Sequence, residues 1–491
     1  MINKKTPSWV KFLIIGLALF LSVLMIVQAH AETYYVSPTG DDDSTGLSID
    51  KAWEHVQMAC STLAEGDTVL IRYGIYDEDS PDRVNRGGIW VNKGLVPSDN
   101  GTLGNNIVFK GYPGDQKPII IGKSTAPSGG EYRSPAALDG KQYIIYDSIE
   151  FRFGYRGVDV GGAKNVIIKN CIVDSTLGPE NNNNGGIVTF NNYQGDAVNI
   201  VVRNCEIFAN GQWIDSTPHY SPGGGNTSGI HIYACDSCYF IANNIHDITG
   251  GIHIKGSVGE PMDTNVYIII DSNEIHDFNG FGIRLKHSGH RRDMRVRWNV
   301  IYNPIGGTDG IEISNGAGND YGWHFLIHNN TIDCGGNTSS SGIRSRYGNF
   351  DACSTFNNII YDPGKNIYDY EAGHAFKNEA GGYDGTPDNY YEDYNLYYGR
   401  ADSIYFVWPN GVGYDLQGWR NATPWGDNSR VADPMFVNAA AHDYCLQEGS
   451  PAANGGRGGA YPTYIGAFAP LGLTHSLTVV DTSKYSFGVE N

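Results

Sequence analysis

A five-residue pattern opening on glycine and then isoleucine or valine returns seven times through the middle of the chain. It is GVDVG at 157, GIVTF at 186, GIHIY at 229, GIHIK at 251, GIRLK at 282, GIEIS at 310 and GIRSR at 342. The starts are separated by 29, 43, 22, 31, 28 and 32 residues. A second series alternates with the first: Cys171-Ile172-Val173, Cys205-Glu206-Ile207, Asn243-Asn244-Ile245, Asn273-Glu274-Ile275, Asn299-Val300-Ile301, Asn330-Thr331-Ile332 and Asn358-Ile359-Ile360. One member of each series per interval marks a solenoid, whose repeats bury their apolar faces against their neighbours.

Alternation within the pentads sorts the faces. Positions two and four are mostly Val, Ile or Leu, such as Ile230 and Ile232, Ile252 and Ile254, and Ile283 and Leu285. A period of two turns those side chains inward and positions three and five outward. The uneven intervals exclude leucine-rich and helical repeats and fit a parallel β-helix, in which turn lengths vary freely. The expected class is all-β, a single-stranded right-handed parallel β-helix. The Asn and Cys column is expected to form an inward ladder whose amides bond from coil to coil.

Composition agrees, with 64 Gly, 32 Tyr and only 18% charged residues, the profile of many short strands joined by tight turns. The net charge of −19 excludes general nucleic-acid binding, which needs a basic surface. Lys4, Lys5 and Lys11, the apolar run Phe12 to Val27 and the small-x-small Ala29-His30-Ala31 make residues 1–31 a signal peptide. The mature chain is expected near Glu32, secreted or periplasmic, with no membrane association after cleavage, and as a monomer. Of eight Cys, Cys235 and Cys238 form a C-x-x-C without a second pair at zinc spacing, so a local disulfide or buried thiols are expected there rather than a metal. Cys171 and Cys205 are core positions in neighbouring coils.

The solenoid is expected to span 32–470, with an N-terminal cap over about 32–76, last coils and a C-terminal cap over about 395–470, and a tail at 471–491. Trp53 to Leu63 has the pattern of a short amphipathic helix that closes the first coil, as solenoid ends require. Tyr34-Tyr35-Val36-Ser37-Pro38-Thr39-Gly40, Ala52-Trp53, Gly66-Asp67-Thr68-Val69, Gly74-Ile75-Tyr76, Asn106-Ile107-Val108-Phe109-Lys110-Gly111-Tyr112, Ser450-Pro451-Ala452 and Gly466-Ala467-Phe468 resemble pectate-lyase-like β-helix proteins over most of the mature chain. That superfamily holds lyases, hydrolases, epimerases and binding proteins, so the resemblance implies the fold and leaves the chemistry open.

Stacking the pentads about 4.8 Å apart turns the outward positions into columns. Position three runs Asp159, Val188, His231, His253, Arg284, Glu312, Arg344, and position five runs Gly161, Phe190, Tyr233, Lys255, Lys286, Ser314, Arg346, with His287 just beyond Lys286. Two ammonium groups about 5 Å apart repel by roughly 3 kcal/mol at an effective dielectric of 20, so the Lys255–Lys286 stack favours a bound anion or a lost proton. The expected partner is an acidic polysaccharide, and the expected reaction is β-elimination by a polysaccharide lyase. Lys255 is the expected base with Lys286 as substitute, Arg284 neutralises the sugar carboxylate, and His253 or Tyr233 is the acid. His231, Tyr233, His287, Glu312, Arg344 and Arg346 are the expected substrate-binding residues.

Alginate lyases and chondroitinase B of this fold use a Lys-Ser base motif, calcium-binding carboxylates before it and an Arg-His-Gly one coil later. Lys255-Gly256-Ser257 and Lys286-His287-Ser288-Gly289 resemble distorted versions, with His253 standing where the acidic ligands belong. No cofactor is therefore expected, and calcium has no identified ligands. Asp41-Asp42-Asp43 is expected to be a solvated N-terminal turn. Two alternatives stand beside the lyase. A glycoside hydrolase wants two carboxyls roughly 5–10 Å apart. Asp159 and Glu312 lie five coils apart, about 24 Å, so Asp309 or Asp236 would have to complete a site with Glu312. A non-catalytic carbohydrate-binding β-helix is the other. His246-Asp247 and His276-Asp277 occupy corresponding turns and are expected to be structural hydrogen bonds.

Overall fold

The computed structural model describes residues 32–470 other than 78–82, 87–88, 93, 125–131, 155, 179–183, 190–196, 215–216, 220–226, 234, 256–265, 288–291, 306–308, 316–323, 337–339, 347–352, 364–365, 371–390, 400–405 and 408–412. Residues 1–31, expected to be a signal peptide, and residues 471–491, expected to be a tail, lie outside the described residues.

One coil shows how the sequence makes the repeat. Strand Cys238–Ile241 is followed by Ala242 at φ 52°, by Asn243, and by strand Asn244–His246; Asp247 at φ 49° then leads into strand Ile248–Lys255. Each left-handed residue bends the chain sharply, so three short strands wrap one core. Such a φ costs a non-glycine residue about 1–2 kcal/mol and persists only where its neighbours are firmly bonded. Stacked coils pair in parallel and in register: Tyr239 with Ile269, Ile245 with Ile275 and Ile252 with Ile283. Repetition of these pairings builds two long parallel sheets, and the fold is a right-handed parallel β-helix.

Inside, the ladder is present. Asn243, Asn273, Asn299, Asn330 and Asn358 each donate their side-chain amide to the Asn carbonyl one coil on, ending at Asn395, over 2.9–3.1 Å. The same carbonyls accept the backbone N–H of the preceding rung at 2.8–3.1 Å. Upstream, Cys171 and Cys205 fill the column, and each thiol donates to backbone carbonyls. The far end closes on buried Glu392, which accepts from Asn395, Tyr397, Ser429 and Trp419. The pentad glycines are fixed by the same stacking. A Cβ on Gly251 would lie 2.3 Å from the Gly282 carbonyl oxygen and 2.5 Å from Ile275 Cγ2.

The ends differ from the sequence pattern in detail. The first helix is Val56–Thr62, with Val56, Ala59 and Cys60 buried in the main core. Trp53 lies before it in a parallel bridge to Val36, its ring stacked on Tyr34 at 5.0 Å. Helix Leu416–Ala422, capped by Asp415, buries Leu416 and Trp419 beside Phe406 and Trp425. The antiparallel pair Phe436–Asn438 and Asp443–Leu446 belongs to a second core, which runs along the flank of the coils with Val300, Tyr302, Ile359 and Leu396. Asn329 donates to the carbonyls of Tyr464 and Gly466 there, and Tyr444 donates to Asp333. Cys235 and Cys238 form a disulfide, and His246 and His276 bond Asp247 and Asp277. Among the described residues, no helix is long and apolar enough to cross a membrane.

Replacing Asn299 with Ala removes one rung: the Asn273 backbone N–H loses its acceptor and the Ile270 carbonyl loses the side-chain donor. At about 1–3 kcal/mol per buried unsatisfied group, the expected loss is about 2–4 kcal/mol. Urea unfolding followed by circular dichroism checks it, with exposed Asn421→Ala expected to change little.

Candidate active site

The pentad strands carry the site, and their register is the one that the repeat implied. Position three pairs Asp159 with Val188, Val188 with His231, His231 with His253, His253 with Arg284, Arg284 with Glu312 and Glu312 with Arg344. Lys255 is opposite Lys286 in the same register. The side chains of Lys286, His287 and Arg346 lie outside the described residues.

Burial departs from expectation. The column was expected to face solvent, yet Asp159, His231, His253 and Glu312 are all buried, as are the isoleucines on the other face of the same strands. The alternation tells which side of the strand a residue leaves from; it does not tell what covers that side. Among the described side chains, Tyr233, Lys255, Arg284 and Arg344 are the column members that remain partly exposed.

Burying charge requires partners. Arg284 Nη2 donates to Glu312 Oε2 at 2.7 Å, and its guanidinium lies 3.8 Å from the Phe281 ring centre. Arg344 Nη1 donates to Asp309 Oδ2 at 3.4 Å. Arg156, 2% exposed, donates to Asp159 Oδ2 at 2.7 Å, and the other oxygen of Asp159 accepts from the Gly161 N–H. Lys255 Nζ donates to the Tyr233 hydroxyl at 2.7 Å and lies 4.7 Å from that ring's centre.

Between these groups stand two imidazoles. His231 stacks on Tyr233 with centroids 5.1 Å apart, and meets His253 at 4.5 Å; His253 sets its edge against Phe281 at 5.3 Å. Neither ring nitrogen of His231 has a hydrogen-bond partner among the described residues. Burial holds the His231 pKa well below the usual 6.5, and the charges of Lys255, Arg156 and Arg284 push it the same way. It is a neutral ring. Burial also pushes the Tyr233 phenol up to about 12, with Arg156 pulling it back. Tyr233 therefore keeps its proton at neutral pH.

Two neighbours were missed from sequence. Arg156 precedes the first pentad glycine and has Asp159 three residues on, a spacing that carried the signal. Phe281 pairs with Gly250, and a Cβ there would lie 2.2 Å from the Phe281 ring, so the glycine makes its space. The carboxyls proposed for hydrolysis fare differently. Asp159 and Glu312 are five registers apart, Asp236 belongs to the other long sheet, and Asp309 and Glu312 each hold an arginine. Among the described residues, no group of three or more His, Cys, Asp or Glu is arranged to hold a metal ion.

The fold defines the class: a right-handed parallel β-helix, an architecture shared with the solved structures that superpose on it. A pectate lyase, Pel9A, superposes with a TM-score of 0.50 at 14% identity, over 89% of this chain and 96% of its own. A rhamnogalacturonan lyase superposes with a TM-score of 0.50 at 13% identity, over 93% of this chain and 99% of its own. At such identities the likeness is one of fold. No protein-family model matches the sequence, and no curated protein matches it.

Neutral, buried His231 makes a pH prediction. The unfolded chain takes up a proton near pH 6.5 that the folded ring refuses, so stability present above 6.5 is lost as pH falls below it. In His231→Phe, the slope of stability against pH below 6.5 is expected to be shallower by up to about 1.4 kcal/mol per pH unit. Urea midpoints measured across pH 5–8 check it.

Proposed function

We propose that this chain is an exported polysaccharide lyase that cleaves a uronic-acid-containing polysaccharide by β-elimination on the pentad strand face. The observation that carries this reading is the contact of Lys255 with Tyr233 on the same strand face as Arg284, one column over. Elimination needs a base at C5, a cation at the neighbouring carboxylate and an acid at the departing oxygen. Lys255 in its neutral form is the base. Arg284, held in place by Glu312 and by the Phe281 ring, meets the sugar carboxylate. Arg344 meets a neighbouring sugar, and Arg346, His287 and Lys286 are assigned to sugar binding by their places in the sequence repeat. No resident cofactor takes part in this reading.

Export follows from the N-terminal pattern at 1–31, and the Cys235–Cys238 disulfide suits an oxidising compartment. The fold of the two superposed lyases adds support, since the same architecture carries that chemistry in them.

Incubation with alginate, polygalacturonate and glycosaminoglycans should generate the ultraviolet absorbance of a C4–C5 unsaturated uronide together with new reducing ends. Lys255→Ala is expected to lower turnover at least about 100-fold. Reducing ends without absorbance would replace elimination with hydrolysis, and binding with neither would make the chain a carbohydrate-binding module.

A further inference from the structure

We propose that Tyr233 is the catalytic acid, that it shares one face of the sugar with Lys255, and that the site is thereby committed to syn elimination. This inference rests on the lyase reading. It names the substrate class: polymers of D-glucuronate or D-mannuronate, in which H5 and O4 leave from the same side of the ring. D-Galacturonate and L-guluronate, in which they lie on opposite sides, are the wrong stereochemistry for it.

The geometry is specific. Lys255 Nζ and the Tyr233 hydroxyl are 2.7 Å apart, on neighbouring coils, and both residues are partly exposed. A base and an acid in direct contact reach two atoms on the same face of one sugar. To serve an anti elimination they would have to stand on opposite faces, with the ring between them. His253 competes for the acid role, but at 2% exposure its ring is enclosed between His231 and Phe281. Tyr233 is partly exposed, and its ring is braced on His231 at 5.1 Å and 21°. His231 is thus a positioning residue, acting through the face of its ring.

The proton balance closes within the pair. The lone pair of neutral Lys255 takes the C5 proton, and the C5–H electrons become the C4=C5 double bond. The C4–O4 bond breaks, its electron pair stays on O4, and O4 takes the phenolic proton of Tyr233. The products are an unsaturated uronide and an alcohol chain end. The site then holds an ammonium facing a phenolate across the same 2.7 Å contact. One proton passed from Nζ to the phenolate oxygen restores amine and phenol, so neither group needs solvent to reset. Protonation of the phenol at neutral pH fits its burial.

The test uses the mature protein with four polymers: polymannuronate, β-1,4-glucuronan, polyguluronate and polygalacturonate. Absorbance should appear on the first or second at least about 10-fold faster than on the last two. Elimination that runs faster on polyguluronate or polygalacturonate would overturn syn commitment and leave the lyase reading standing. Absence of absorbance on all four and on the glycosaminoglycans overturns the lyase reading itself. On the preferred polymer, Tyr233→Phe should lower kcat about 100-fold or more, the scale of a lost general acid, with KM nearly unchanged. A Phe variant with full kcat would remove Tyr233 from the chemistry. His231→Phe, which keeps a ring under Tyr233, should retain most of kcat, whereas His231→Ala should lose it without a matching change in KM. Equal loss in both variants would overturn the positioning role.

Discussion

Everything in this molecule depends on coils stacking at a fixed step, and the Asn ladder is the interaction that fixes it. A side-chain amide both donates and accepts, so each rung bonds the next coil's amide and also caps a backbone N–H that the sharp left-handed corner leaves without a strand partner. An apolar residue there would leave buried amide groups unsatisfied at every step. The corner and the ladder are therefore one device. The strained residue turns the chain, and the Asn beside it holds the turn against the core. Cys171 and Cys205 occupy the column where the ladder has not begun, and buried Glu392, with four donors around it, terminates it.

Fixed stacking makes the pentad column a precise surface. Side chains one coil apart stand about 4.8 Å apart, close enough for direct bonding and for repulsion. The structure meets the repulsion with local pairs: Arg156 with Asp159, Arg284 with Glu312, Arg344 with Asp309. Two neutral or edge-packed imidazoles separate the first of these from the second, and Tyr233 and Lys255 meet above them. On the other flank the same spacing builds something different. Phe208, His246, His276, Tyr302 and His442 form a continuous ring stack with centroids 4.3–5.0 Å apart. That stack bonds His to Asp and Tyr to Glu within itself, and its last ring belongs to the hairpin that covers the flank.

Much of the site was legible, because a repeat converts sequence position into spatial register. Lys255, Arg284, Glu312 and Arg344 could be aligned from the pentads alone, and the strand pairings follow that alignment. The contacts between columns were less so. Arg156 enters from outside the pentads, and so does Phe281, which packs against His253 and Arg284. Position five was read as a column in which Lys255 and Lys286 repel unless they splay, lose a proton or bind an anion, and the described contact of Lys255 is with the Tyr233 phenol one coil back in that column. The C-terminal segment was hardest to place. Tyr464 bonds Asn329 across 135 residues, and no periodicity links the two.

The sequence by itself determined the repeat, the inward and outward faces, the ladder and the register, since each follows from local alternation and from residue types recurring at matched positions. Only the tertiary structure decided which outward residues are buried, which cations are matched by carboxylates, and that Tyr233 and Lys255 touch while His231 lies beneath them. The reason is physical: periodicity is a property of neighbours along the chain, whereas burial and ion pairing depend on what distant segments bring to the same surface.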